Sequence, residues 1–96
     1  MKAKEIAERA AQLVGTDREN SHGNKLVNHT NIAILWNALI DIRGTGPLDA
    51  HDVANMMELL KIARRYSGSM NDDDYIDGAG YAAVAGECKA ELESER

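Results

Sequence analysis

Three features of this chain predict an all-α fold. Apolar residues recur at three- and four-residue spacing in four separate stretches. Proline occurs once, at Pro47, so most of the chain is free to be helical. The apolar residues are mainly Ala, Ile, Leu, Val and Met, with one Trp, three Tyr and no Phe, which suits packed helices. Ninety-six residues are enough for one domain with one modest core. So little apolar surface stabilises a lone chain weakly, and a helical homo-oligomer is expected.

Four helices are read, over about 3–14, 24–42, 49–66 and 74–92. The first places Ile6, Ala7, Ala10, Leu13 and Val14 on one face, and Gly15 is expected to stop it. A polar loop over residues 16–23 follows. In the second, Leu26, His29, Ile32, Ala33, Trp36, Leu39 and Ile40 recur at helical spacing, so His29 is expected to point towards the core. Gly44-Thr45-Gly46-Pro47 ends it. Asp49 can cap the third, with Asp52 adding negative charge near the positive end of the helix dipole. Val53, Met56, Met57, Leu60 and Ala63 are its expected buried stripe. The acids Asp72 to Asp74 open the fourth, in which Gly78, Gly80 and Gly86 lower helix propensity and suggest close approach by a neighbour.

Charge is uneven along the chain. Net charge is −5, yet residues 1–66 carry nine Lys/Arg against eight Asp/Glu, and residues 67–96 two against eight. No basic stripe exists for a nucleic-acid duplex, which disfavours direct nucleic-acid binding. Cys88 is alone, which fits a reducing cytoplasm and excludes an internal disulfide framework. No apolar run approaches the length of a membrane span, and the charged start does not read as a signal peptide.

Several polar residues form candidate binding constellations. His22, Gly23 and Lys25 lead into a helix N-terminus, a natural setting for an anion; a plain connector is the bland alternative. Asn28 and His29 are read either as satisfied core residues or as contacts to a base or phosphate. Lys61 and Arg64 share one helix face, and Asp73 and Asp77 share another. They form either an inter-helix salt-bridge network or a polar pocket whose cations bind phosphate. Trp36, Met56 and Met57 are read as core, and the acids of the tail as a solvated face.

The order Arg18…His22-Gly23…Asn28-His29-x-x-Ile32-Ala33-x-Leu35-Trp36, Asp52-Val-Ala-x-Met-Met-x-Leu-Leu-Lys61-Ile-Ala-Arg64 and Asp77-x-Ala-Gly-Tyr-Ala-Ala resembles a family of short phage and prophage proteins of unassigned function. That resemblance covers about residues 17–87 and implies a phage origin and a helical fold. A more distant resemblance is to MazG-type nucleotide pyrophosphohydrolases, in which Glu-x-x-Glu and Glu-x-x-Asp on successive helices hold magnesium against a nucleoside triphosphate. Here the pattern reads Glu58-x-x-Lys61 and Asp74-x-x-Asp77. Lys61 replaces an anionic ligand with a cation, which repels the metal and attracts phosphate.

The leading expectation is therefore a non-catalytic phage protein that binds a small phosphorylated nucleotide without a cofactor. Sequestering a host immune or stress signal would suit a phage. His22, Lys25, Asn28, His29, Lys61 and Arg64 would contact it, with Asp73, Asp77 and Tyr81 holding the cations or a ribose. One alternative is a magnesium-dependent pyrophosphohydrolase using Glu58, Asp74 and Asp77 as ligands. The other is a helical protein-interaction module in which the same charges are salt bridges.

Overall fold

A computed structural model describes residues 1–17 and 24–95. Helix α1 (Ala3–Gln12) loosens into a π-helical turn over Leu13–Asp17, so the chain stays helical through Gly15 instead of stopping there. Three further helices follow: α2 (Lys25–Arg43), α3 (Ala50–Arg64) and α4 (Asp72–Ser94). No strand occurs among the described residues, so the fold is all-α. No described helix is long and apolar enough to cross a membrane.

Each of the last three helices starts on a side-chain cap. Asn24 Oδ1 accepts from the Val27 N–H at 3.0 Å, and Asn71 Oδ1 accepts from the Asp73 N–H at 3.0 Å. Asp49 and Asp52 form a reciprocal capping box. Asp49 Oδ1 accepts from the Asp52 N–H, and Asp52 Oδ2 accepts from the Asp49 N–H, both at 2.9 Å. Such caps satisfy donors that a helix N-terminus otherwise leaves open.

The α2–α3 connection is held by one side chain. Arg43 donates to the carbonyls of Gly44 and Gly46 at 3.1 Å and of Pro47 at 2.8 Å. Its Nε also lies 3.0 Å from Asp52 Oδ1. Gly44 and Gly46 adopt φ of +90° and +111°, a region that disfavours side chains, so the two glycines make the turn that Arg43 clasps.

Helix α3 is the centre of the fold. It packs closely against α4 on one side and against α2 on the other, whereas α2 and α4 share no comparable contact. The result is an open layer of three helices, not a closed bundle. Its buried apolar residues are Ile32, Ala54, Met56, Ala63 and Ala85. Trp36 is half-buried and donates from Nε1 to the Met56 carbonyl at 2.6 Å, tying α2 to α3.

Further expectations need correction. Val53 is exposed, because the buried side of α3 runs through Asp52, Ala54, Met56 and Ala63. Helix α1 packs closely on no other described helix, so Ile6, Leu13 and Val14 stay exposed. His29 does not face the core: it is exposed, and its Nδ1 lies 2.7 Å from the Lys25 carbonyl of the same helix. The inward face of α2 is instead Asn28, Ile32, Leu35 and Leu39.

Candidate functional site

Of the charged residues singled out in the sequence, two come together at the α3–α4 hairpin. Lys61 and Asp77 meet there, with Lys61 Nζ 3.0 Å from Asp77 Oδ2. The Lys61 side chain is only 13% exposed, while that of Asp77 is 47% exposed. The lysine stem thus lies between the helices and its charge is answered at the rim. A cation already paired and largely covered makes a poor phosphate receptor, because a phosphate must first displace its carboxylate.

Arg65 is the residue that sequence reading missed. It caps the C-terminus of α3 and reaches across to α4, where Nε and Nη2 donate to the Asp74 carbonyl at 3.3 and 3.1 Å. Its guanidinium lies over the Tyr75 ring, 4.6 Å from the centroid, in cation–π geometry. Gly78 makes this path possible. A Cβ there would collide with Arg65 Nη2, and it would lie 3.6 Å from Lys61 Cβ. The close approach expected at the glycines of α4 therefore holds at Gly78. Gly80 and Gly86 face open space.

Asp74 sits in the first turn of α4 and is 2% exposed. Its Oδ1 has no hydrogen-bond partner, and neither does the buried Oγ of Ser67 in the preceding turn. Two features make a carboxylate tolerable there: the positive end of the α4 dipole and the Arg65 guanidinium held at its own carbonyl. Asp77 and Tyr81 border a shallow depression of about 430 Å³ on the outer side of α4, with Ile76, Gly80 and Val84.

The other expected ligand-binding residues do not join this cluster as one site. Lys25 and His29 lie in the first turns of α2, and Asn28 is buried on its inner face. Asp73 is exposed at the start of α4, and Arg64 is half-buried at the end of α3. His22 lies outside the described residues. Glu58, Asp74 and Asp77 do not come close enough together to share an ion.

Among the described residues, the group close enough to share an ion is Asp49, His51 and Asp52. Most of its ligand atoms are already engaged. The two aspartates form the capping box, Asp52 also pairs with Arg43, and His51 Nε2 lies 3.0 Å from Asn55 Nδ2. The Asp49 N–H bond, followed by the Arg43 charge, holds the Asp52 carboxyl below its ordinary pKa of 3.8, against the opposing effect of burial. This cluster starts α3 and anchors the loop before it.

The sharpest apolar feature lies elsewhere, on α2. Val27, Ile34, Ala38 and Ile42 recur at helical spacing along one flank of α2, and all are exposed. A hollow of about 260 Å³ adjoins this stripe, lined by Asn31, Ile34, Leu35, Ile62, Ala63 and Tyr66. Tyr66 at its rim is 85% exposed. Helix α2 thus carries exposed apolar residues beside the side that packs on α3.

Comparison with known proteins gives a family and two curated relatives. A family described as a domain of unknown function (DUF6378) matches residues 5–89. The Gene 55 protein of Mycobacterium phage L5 is 40% identical over 75 residues, which is 78% of this chain and 46% of that protein. The Gene 55 protein of Mycobacterium phage D29 is 34% identical over 77 residues, 80% of this chain and 48% of that protein. The chain thus spans about half the length of these relatives. No solved structure matches it.

Proposed function

The chain belongs to the DUF6378 family, and from that premise we propose that it is a phage-encoded, non-catalytic helical module that works by docking. The observation that carries this reading is the exposed apolar stripe of α2, with an adjoining hollow that the described residues leave uncovered. Exposed contiguous apolar surface of this kind is the usual mark of a protein interface. The charged hairpin then acts as a lock that fixes α4 against α3. Its lysine is answered by Asp77, and Arg65 is spent on the Asp74 carbonyl.

The test replaces the lock with apolar side chains. The double variant Lys61→Met/Asp77→Leu is expected to stay helical, with thermal stability equal to or above the parent, since an apolar pair can replace a covered ion pair without loss. Loss of a nucleotide-binding heat in Lys61→Ala, seen by calorimetry against nucleoside triphosphates and cyclic nucleotides, would sink the reading.

One observation favours a second reading, binding of a phosphorylated nucleotide at the hairpin, for example to sequester a host signal. Asp74 Oδ1 and Ser67 Oγ are buried and unpartnered, and a ribose hydroxyl or a cation would satisfy them. Incubation with deoxynucleoside triphosphates and magnesium separates binding from hydrolysis. Pyrophosphate release would indicate the enzyme, and saturable heat with intact nucleotide would indicate a binder.

A further inference from the structure

We propose that α1 is a strap: it folds back antiparallel along the exposed stripe of α2, and a docking partner must displace it. The proposal rests on the docking reading and adds the regulation of that surface.

Among the described residues two apolar surfaces lie uncovered, and they are neighbours in sequence. Helix α1 packs closely on no other described helix. Ile6 on its apolar face is 54% exposed, and Leu13 and Val14 are exposed beside it. A helix of 10 residues is marginal by itself in water, so α1 needs an apolar surface to lie on. The stripe of α2, with its adjoining hollow, is such a surface.

The connection between the helices selects this occupant. Residues 18–24 join Asp17, at the end of the π-helical turn, to Lys25 at the start of α2. Connections this short ordinarily set two helices side by side and antiparallel. A short tether also holds α1 beside the stripe at an effective concentration on the order of millimolar. An untethered second copy competes only when the protein itself is that concentrated.

The register agrees with the composition. Turning the chain over residues 18–24 sets Val14 opposite Val27, Ala10 opposite Asn31, Ala7 opposite Ile34 and Ala3 opposite Ala38. The three alanines of α1 let the helices approach closely. Ile6, beside Ala7, then stands at the hollow lined by Ile34, Leu35, Ile62 and Tyr66. Lys4 and Glu8, which pair with each other at 4.0 Å, stay on the solvent side of the strap.

Thiol accessibility in the full chain tests this. In a Cys88→Ser background, Ala38→Cys is expected to react slowly with iodoacetamide, at a rate independent of protein concentration. Adding Ile6→Glu releases the strap and is expected to raise that rate about tenfold, the order of effect of one buried isoleucine. A rate that Ile6→Glu leaves unchanged overturns the proposal. So does protection that grows with protein concentration, which would put a second copy on the stripe. The register is read separately. Ala3→Cys with Ala38→Cys is expected to close a disulfide within one chain, faster than Lys4→Cys with Ala38→Cys. Equal rates for the two pairs would show α1 to be a free tether and overturn the strap. Failure of the strap leaves the docking reading standing, whereas nucleotide heat lost in Lys61→Ala removes the docking reading itself.

Discussion

Asp52 shows how much one side chain can carry in a small fold. Its two oxygens start α3 and answer Arg43, which in turn holds three loop carbonyls. Its carboxyl is held below the ordinary value in the folded chain, so it contributes stability that is fully present above pH 3.8 and is lost as pH falls through the folded value. Asp52→Asn should flatten that acid limb in urea unfolding curves followed below pH 5, while an unchanged limb would exclude this residue as its source. Arg43→Ala should destabilise the chain by about 2 kcal/mol, since it strands a covered carboxylate and frees the loop. Denaturant titration at neutral pH reads that loss directly. The Asp49 cap was legible in the sequence because capping is local: an acid just before an apolar run, with another acid three residues on. Arg43 was not, because nothing local says that a helix-ending arginine will turn back onto the loop after it.

At the scale of elements, the α3–α4 hairpin is built around a missing side chain. Gly78 lies inside a helix, where glycine costs about 1 kcal/mol relative to alanine. That penalty is offset by the space it leaves for Arg65, whose guanidinium reaches the Asp74 carbonyl and the Tyr75 ring. The two positions should therefore be coupled. Gly78→Ala alone should be neutral to destabilising by about 1 kcal/mol, because its helix gain is set against a displaced charged hydrogen bond. In an Arg65→Ala background the same change should stabilise by about 1 kcal/mol. Equal effects in both backgrounds, read by thermal unfolding, would show that the collision does not matter. The sequence marked Gly78 as unusual and drew attention to the neighbouring Arg64 instead of Arg65. The choice between adjacent arginines depends on where α3 ends, and helix ends are the least local part of the pattern. His29 was misplaced for a related reason. It lies nearly in line with Trp36, and Trp36 marks the edge of the inner face of α2, not its centre.

For the whole molecule, the number and type of helices were legible because periodicity, the single proline and the capping residues agree with one another. The arrangement was not. Helical spacing tells which residues of α2 are apolar, but not which of them α3 covers. For the same reason the sequence left the charged residues open between a salt-bridge network and a pocket; the fold pairs Lys61 with Asp77 and sets the other candidates apart from them. Lys61 is the pivot between the two accounts, since a cation paired with Asp77 at 3.0 Å and 13% exposed holds helices together, whereas a free one would hold phosphate. Calorimetric titration of the wild-type chain with nucleoside triphosphates and cyclic nucleotides, with and without magnesium, tests this most directly. The docking account predicts no saturable heat for any of them. Saturable heat that Lys61→Ala abolishes and Ile34→Glu preserves would contradict it.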